Sequence, residues 1–492
     1  MDKIRANRFF ERHGMFIFLV LIGMTFRLLF MYHQGLSNDE LSAWNRTRFD
    51  SWIDFWHQGV KAGDMHPVFY QAFLWIWVRI FGDSEIALRA PSFLFYLVNS
   101  WIIYELGIRF FSKKAGLLVV AIYAGLGFTI IHTVFARPYN SGTFFLLLLV
   151  WSLLEMKASE KKISGWHFGV FIGFLGAMLS HYFAFLSAGV IGACALFYLP
   201  KRRILELLVI GFVAILTFLP HLPITLFQLN QGGLGWLPPP TWYWIGEFFF
   251  QFFNYSWGLL SLFLICILFA CFRGNKWISS EDKFLFRIVL FTYLVGHLIS
   301  VFYTPVLREL VMLFTLPFLL ILVFSRFQEG ISTRFSMVIL LIPIGIGIHS
   351  IGCFKLLQPV NFGVFREIGE VVNEADASIG RENMMFASNF CDVEYINYYY
   401  KQDVQESITD WMNSEVVYNL NDRAKKANQS HFVYNWSNNF HMPMYYEVIR
   451  QHFPYVQKHI DYFNAAATIF SKNVSDSSTG LQKRKLSFST VG

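Results

Sequence analysis

The sequence predicts an α-helical membrane protein with many spans, followed by a small α/β domain. Of its 492 residues, 55% are hydrophobic and 15% are charged, whereas soluble globular proteins have about 45–50% apolar and about 25% charged residues. Apolar runs of about twenty residues, the length that crosses a bilayer, recur between residues 15 and 352. Lys and Arg concentrate in every second junction between these runs, which is typical of cytoplasmic loops.

The apolar runs predict eleven membrane spans. Their approximate limits are 15–33, 89–110, 115–134, 139–157, 165–181, 182–199, 204–222, 255–272, 284–303, 308–325 and 335–352. Basic residues cluster at the N-terminus and then at alternate junctions, from Arg109 with Lys113 to Arg326 with Arg334. The positive-inside rule therefore predicts a multi-pass protein of the plasma (inner) membrane with a cytoplasmic N-terminus. The formal net charge of +7 follows from these loops, so it indicates topology and no nucleic-acid partner.

The segment 67–81 is apolar, but it is predicted to lie outside the set of spans. It is short and rich in Trp, Phe and Tyr, and counting it as a span would place Lys113 outside the cell. A helix in the membrane interface accounts for both features, and Pro67 suits its first turn because the missing N–H has no helical partner there. A true spanning helix stays open as the alternative.

The composition divides the chain into three predicted parts. Residues 1–353 form a transmembrane domain in which 34–88 is an external catalytic loop. Residues 354–470 form an external α/β domain, where charged and amide residues are frequent and short apolar segments such as Met384–Ala387 and His431–Trp436 indicate strands. Residues 471–492, rich in Ser and Lys, are predicted to be disordered.

Three carboxylates and a histidine gather in the first external loop. Asp39 and Glu40 follow the first predicted span, and Asp64 and His66 precede the interfacial helix. If the loop folds back on itself, its two ends meet, and the carboxylates could then act as a general base on an acceptor or share a divalent cation, with Asp39 and Asp64 as candidate ligands. The alternative is that these acids are solvated and that Asp64 caps a helix.

Arginines at the outer ends of predicted spans form a second set of candidates. Arg89, Arg137 and Arg308 lie at this depth, where a charge is costly and usually functional. A guanidinium group matches phosphate oxygens with two parallel hydrogen bonds, so converging arginines would suit a lipid phosphate. Arg27, inside the first span, has no assigned role, and His181 is predicted to be a structural histidine in preference to a ligand.

Motifs for binding a nucleotide or a dinucleotide are lacking from the sequence, and no room exists for a cytoplasmic α/β transferase domain. If sugar chemistry takes place at the outer face, the donor must therefore already be there. A lipid-phosphate-linked sugar meets that requirement.

The motifs in the first 140 residues resemble those of a known family. They are Asn38-Asp39-Glu40, Asp64-Met65-His66-Pro67-Val68-Phe69-Tyr70, Phe81-Gly82-Asp83-Ser84-Glu85 leading to Arg89-Ala90-Pro91-Ser92, and Ala136-Arg137-Pro138-Tyr139. Their order and spacing are similar to bacterial members of the dolichyl-phosphate-mannose–protein mannosyltransferase superfamily, which has the GT-C fold and includes the lipid A aminoarabinose transferase. Beyond residue 140 the resemblance depends on topology and on the region around Arg308.

The resemblance implies an inverting transferase that uses a polyprenyl-phosphate-linked sugar. It implies that Asp39 activates the acceptor and that Arg137 and Arg308 contact the donor phosphate. We predict Glu40, Asp64 and His66 as further catalytic residues, and Arg89 and Tyr139 as further phosphate-binding residues. It leaves the need for a divalent metal open. Two departures from the family pattern are Pro67-Val68 in place of paired prolines and Arg308-Glu309 in place of Arg-Tyr.

Two other functions remain open from the sequence. A lipid-linked glycan polymerase or ligase would also have many helices and external arginines. The feature that would favour this class is a large external loop late in the chain. A transporter or flippase would have ionisable residues lining a path at mid-membrane, whereas here they cluster at one surface. The acceptor, whether a lipid, a glycan or a protein, and the membrane lipids around the site cannot be chosen by sequence.

Overall fold

The structure is a computed structural model that describes residues 2–474 except 162, 232–236, 273–278, 325–332, 359–363, 390–393, 401–413, 438–442 and 463. The chain forms two compact units. The first comprises residues 1–31 and 46–354, and the second comprises residues 32–45 and 355–492. The predicted external loop 34–88 is thus divided between the units, and the predicted tail beyond residue 474 lies outside the described residues.

Residues 2–353 are mostly helical where the structure describes them, and two of these helices have residues in both units. In chain order the helices are α1 (Asp2–His33), α2 (Asn38–Thr47), α3 (Trp52–Asp54), a π-helix (Phe55–Ala62), α4 (Val68–Phe81), α5 (Glu85–Phe110), α6 (Lys113–Gly125), α7 (Gly127–His132), α8 (Tyr139–Ala158), α9 (Gly165–Ser180), α10 (Tyr182–Leu196), α11 (Lys201–Phe218), a 3₁₀ turn (Leu219–His221), α12 (Leu222–Asn230), α13 (Trp244–Phe252), α14 (Trp257–Phe272), α15 (Ser280–Phe302), a 3₁₀ helix (Glu309–Phe314), α16 (Leu316–Phe324) and α17 (Thr333–Cys353).

Every predicted span contains a helix, but the predicted count of eleven stays a prediction. Within the described residues, five helices are long and apolar enough to cross a membrane, or six if the pair Trp244–Phe252 and Trp257–Leu268, bent by 105°, is one span. Several other apolar helices are shorter, among them Gly165–Ser180 and Tyr182–Leu196. The segment predicted as an interfacial helix forms α4, which has 14 residues and begins after Pro67. The chain is therefore a multi-pass membrane protein.

The predicted span 115–134 is broken, and Arg27 lies at the break. Its Nη1 donates to the carbonyl of Ala124 at 3.0 Å, and its Nη2 donates to the carbonyl of Tyr123 at 3.2 Å. Its Nε donates to Thr133 Oγ1 at 2.8 Å, and the guanidinium lies 3.6 Å from the ring centre of Tyr96. Carbonyls left without a donor in a bilayer cost several kcal/mol each, so this buried arginine stabilises the interruption between α6 and α7.

The second unit contains the small α/β domain that the sequence predicts. Its elements are α18 (Phe365–Ile379), a 3₁₀ turn (Arg381–Asn383), β1 (Met384–Asn389), α19 (Glu394–Asn397), α20 (Ser414–Lys426), β2 (His431–Trp436), α21 (Pro443–His452), β3 (Tyr455–Asp461) and β4 (Ala466–Ser471). The sheet order is β1-β2-β4-β3, with β1 parallel to β2 and the other pairs antiparallel. Phe432, Tyr434 and Phe470 are buried against the helices.

The segment that begins α2 belongs to this second unit. Gln34 Nε2 donates to the carbonyls of Leu356 at 2.8 Å and Gln358 at 2.6 Å. The backbone N–H of Leu36 donates to the hydroxyl of Tyr399 at 2.7 Å. The chain around Asp39 is therefore held by residues that lie more than 300 positions away in the sequence.

Candidate active site

The first wall of the site is the turn that carries Asp64 and His66. It lies between the π-helix and α4. Short π-helical segments are frequent at functional sites. The Asp64 carboxylate accepts from the backbone N–H of Met65 at 2.8 Å. Arg46 donates from Nε to the carbonyl of Gly63 at 2.7 Å, and its Nη1 lies 3.5 Å from Asp64 Oδ1. These contacts hold the buried carboxylate of Asp64 beside the imidazole of His66, whose side chain is 13% exposed.

The second wall is the turn between α7 and α8, which carries Arg137. Arg137 is 8% exposed, and its Nη2 lies 3.2 Å from His66 Nδ1. The same Nδ1 lies 3.0 Å from Asp64 Oδ1. Because an imidazole nitrogen either donates or accepts, His66 Nδ1 can satisfy Asp64 or Arg137, but only one of them at a time.

Aromatic rings form the floor of this site. The ring of His181 lies 4.9 Å from His66, 5.4 Å from Tyr139 and 5.1 Å from Phe314 between ring centres. His181 joins α9 to α10, and its Nδ1 accepts from the backbone N–H of Phe183 at 3.0 Å. The Phe314 ring can lie this close to α8 because residue 142 is glycine. A Cβ at that position would lie 2.7 Å from the ring. The histidine predicted to be structural therefore caps a helix and also contacts the site.

Positive charge predominates in this cluster. Burial alone would raise the pKa of Asp64, but Arg46, His66 and Arg137 together hold that pKa well below its usual range. Burial and the neighbouring Arg137 lower the pKa of His66, against the opposing effect of Asp64. At neutral pH the site therefore contains one carboxylate, a neutral imidazole and two guanidinium groups. A net charge of +1 in a buried site favours an anion.

A divalent cation fits this arrangement poorly. Asp64 is already beside Arg46 and His66, and a cation there would lie close to two guanidinium groups. Across the part of the chain that the structure describes, no three His, Cys, Asp or Glu side chains are grouped to hold a metal ion.

Asp39 and Glu40 lie in the second unit and differ from each other in their surroundings. Glu40 is fully buried and accepts from the backbone N–H of Ser37 at 2.9 Å, while Ser37 Oγ accepts from the N–H of Glu40 at 3.2 Å. This reciprocal pair is a capping box, which the spacing Ser37-x-x-Glu40 would have predicted. Asp39, in the same first turn of α2, has an exposed side chain. Of the two acids, Asp39 is the one presented to solvent.

The two other predicted phosphate ligands have different surroundings. Arg89 is fully buried in α5, where its Nη1 donates to the carbonyl of Met31 at 3.3 Å and its guanidinium faces Phe30. Arg308 is 43% exposed at its side chain and lies 3.7 Å from Glu309, the acid that departs from the family pattern. The 3₁₀ helix that follows Arg308 ends at Phe314, which contacts His181. The catalytic and phosphate-binding roles of the predicted residues stay predictions.

A buried polar network supports the turn that carries Arg137. Asn140 Nδ2 donates to the carbonyls of Thr133 at 2.8 Å and Ser92 at 2.7 Å, and its Oδ1 accepts from Asn99 at 2.8 Å. Ser92 Oγ donates to the carbonyl of Phe135 at 2.5 Å. Asn140 therefore joins the start of the turn to α5, and sequence reasoning did not identify it.

We expect Asn140→Leu to lower the melting temperature of the detergent-purified protein by several degrees. The substitution removes the side-chain donor to the carbonyls of Thr133 and Ser92 and one of the two acceptors of Asn99 Nδ2, at a cost of about 1–3 kcal/mol for each buried group left unpaired. Asn230→Leu is the matched control, because Asn230 is exposed at the end of α12. Equal melting temperatures for the Asn140 variant and its parent would show that the network does not stabilise the turn.

Known proteins match this chain in two ways: one match is to part of the sequence, and the others are to the fold. Residues 65–224 match the family model described as dolichyl-phosphate-mannose-protein mannosyltransferase. The fold matches the crystal structure of ArnT from Cupriavidus metallidurans in the apo state, at a TM-score of 0.59 and 10% identity, over 93% of this chain and 98% of that one. The structure of the same ArnT bound to undecaprenyl phosphate gives a TM-score of 0.58, with the same identity and coverage.

A third match is more distant. The oligosaccharyltransferase of Archaeoglobus fulgidus, tethered to an acceptor peptide, gives a TM-score of 0.50 at 13% identity, over 92% of this chain and 73% of that one. Comparison with curated protein sequences gives no match.

The fold is of the GT-C type, and the family match over residues 65–224 supports a membrane glycosyltransferase. The residues that match the family model, 65–224, include His66, Arg137 and His181. The resemblance predicted from the motifs is confirmed.

Proposed function

We propose that this chain transfers a sugar from a polyprenyl-phosphate donor to an acceptor at the outer face of the membrane. The observation that carries the proposal is the buried cluster of net charge +1 around Arg137. A polyprenyl-phosphate sugar is a phosphodiester with a single negative charge, which this cluster would neutralise. The shared fold of the ArnT structure that holds undecaprenyl phosphate supports the same donor class.

The proposed reaction is a single displacement with inversion at the anomeric carbon. The Asp39 carboxylate takes the proton of the acceptor hydroxyl or amine, the acceptor atom forms a bond to the anomeric carbon, and the bond from that carbon to the phosphate oxygen breaks. The electron pair leaves with the polyprenyl phosphate, which thereby changes from a diester to a more negative monoester. Groups placed where this charge develops stabilise the transition state.

Arg137 is the group proposed to stabilise that charge, with Arg308 and Tyr139 as further phosphate contacts. In the structure Arg137 shares His66 Nδ1 with Asp64. If a phosphate oxygen accepts the Arg137 N–H, then His66 Nδ1 can carry a proton and donate to Asp64. Asp64 and Arg46 would then hold the imidazole while Arg137 is turned towards the phosphate.

The outer-face assignment depends on the predicted topology, which a cysteine experiment can test. In a background without the five native cysteines, we expect a thiol at Lys113→Cys to react with a membrane-impermeant maleimide only after the cells are opened. A thiol at Asp83→Cys, in the predicted external loop, should react in intact cells. Labelling of Lys113→Cys in intact cells would place the proposed site on the wrong side.

The donor class can be tested with purified protein. We expect release of free undecaprenyl phosphate from at least one undecaprenyl-phosphate-linked sugar when a crude surface-glycan fraction is supplied as acceptor. Mass spectrometry of surface lipids, glycans and proteins from cells with and without the chain would identify the acceptor. A wild-type protein that neither binds nor releases undecaprenyl phosphate would contradict the proposed donor.

A further inference from the structure

The side chain of Gln228, in α12, joins the His66 turn to a distant part of the first unit. It is 3% exposed and lies outside the segment that matches the family model. Its Nε2 donates to the carbonyl of Val60 at 2.9 Å and to the carbonyl of His66 at 3.2 Å. One amide group therefore holds both the end of the π-helix and the residue that faces Arg137.

Gln228 is itself fixed in orientation by a neighbour of His181. The Tyr182 hydroxyl donates to Gln228 Oε1 at 2.5 Å. Because the amide oxygen accepts from Tyr182, the amide nitrogen must face the two carbonyls. Tyr182 follows His181 in the chain, so Gln228 connects the turn of His66 with the start of α10, beside the floor of the site.

A second contact from the same region holds the other end of the turn. His221, which precedes α12, accepts from the backbone N–H of Val68 at 3.3 Å through Nε2, and its Nδ1 lies 3.0 Å from Thr225 Oγ1. The segment from Val60 to Val68 is thus held at two carbonyls and one N–H by residues 221–228. Asp64 lies between these attachment points, and His66 is one of them.

We propose that Gln228 is a positioning residue that presets the distance between His66 and Arg137 for binding a lipid phosphate. This inference rests on the proposed function, since it assigns a phosphate to the His66–Arg137 pair. A site held in its binding geometry before the ligand arrives loses less entropy on binding. Without the amide, the turn must be ordered by the phosphate itself, and affinity falls.

The test uses undecaprenyl phosphate as the probe and the detergent-purified full chain. We expect Gln228→Met, which keeps the length of the side chain but removes its hydrogen bonds, to bind undecaprenyl phosphate about tenfold more weakly, because the turn would then occupy its binding geometry only about a tenth of the time. Gln231→Met, three residues further on and exposed, is the matched control and should bind like the wild type. The measurement is a titration that yields both the Kd and the number of binding sites.

The two fitted quantities separate a positioning role from a role in folding alone. A variant that is merely less well folded has fewer binding sites at an unchanged Kd, whereas a misplaced His66 raises the Kd of the folded fraction. If Gln228→Met does not fold, Gln228→Asn replaces it, because the shorter side chain withdraws the amide from both carbonyls and should also raise the Kd. Wild-type Kd in either variant overturns the proposal.

Failure of the inference can be distinguished from failure of the proposed function. If the wild-type protein does not bind undecaprenyl phosphate, the proposed donor is wrong and Gln228 has no such role. If the wild type binds and the Gln228 variants bind equally well, the donor stands and only the positioning role is overturned. Tyr182→Phe adds a graded check: it should raise the Kd less than Gln228→Met, because it keeps the amide donors.

Discussion

Replacing Arg137 by methionine is expected to lower kcat for sugar transfer by about 10²–10³-fold, the effect of removing one preorganised donor to a developing charge. Arg137 is buried, and it reaches His66 at the centre of a cluster whose net charge is +1. The measurement is the rate at which undecaprenyl phosphate is released from its sugar-linked form under saturating donor. The loss should be larger in kcat than in donor affinity, because the phosphate gains charge only as the bond breaks.

Two variants make the Arg137 result interpretable. Arg137→Lys keeps the charge but offers a single point contact in place of the planar fork, so its activity should lie between those of the wild type and the methionine variant. Arg109→Met is the control, since Arg109 is 44% exposed at its side chain and pairs with Glu155. Wild-type kcat in Arg137→Met, with unchanged melting temperature, would remove Arg137 from the proposed mechanism.

Asp39→Asn is expected to abolish measurable transfer, with a loss of about 10²–10⁴-fold, the usual contribution of general acid–base catalysis. The amide keeps the shape of the side chain but cannot take the acceptor proton. Because the Asp39 side chain is exposed, the protein should insert and melt as the wild type does. Binding of undecaprenyl phosphate should also be retained, which separates this variant from Arg137→Met.

The neighbouring acid provides a contrasting control. Glu40→Gln removes the charge of a buried capping box, so its main effect should be on stability, with a lower melting temperature and a smaller change in kcat than in Asp39→Asn. Full activity in Asp39→Asn would contradict the proposed base. A loss in Glu40→Gln as large as that in Asp39→Asn, at equal stability, would make Glu40 a second candidate for it.

Much of the helical architecture could be predicted because its signals are local. An apolar run of about twenty residues indicates a span wherever it occurs, and each of the eleven predicted spans contains a helix. The break between α6 and α7 was not predictable in this way. It depends on Arg27 and Tyr96, which lie about a hundred or about thirty residues away in the chain.

The C-terminal domain was predicted in part for the same reason. The strands Met384–Asn389 and His431–Trp436 stand out as short apolar runs among polar residues. The strand Tyr455–Asp461 lies at the edge of the sheet, where its residues are exposed or only partly buried, and it was not identified. This strand is recognisable only from its antiparallel pairing with Ala466–Ser471, which the tertiary structure shows.

The sequence alone favours a membrane glycosyltransferase over the alternatives, and it selects Asp64, His66 and Arg137 as candidates because each belongs to a short motif. It does not show that His66 and Arg137 lie 3.2 Å apart, that His181 contacts His66, or that Gln228 holds the His66 carbonyl. These contacts join positions separated by 71 to 162 residues. Only packing of the helices brings such residues together, since no local pattern encodes which distant side chain will complete a buried hydrogen bond.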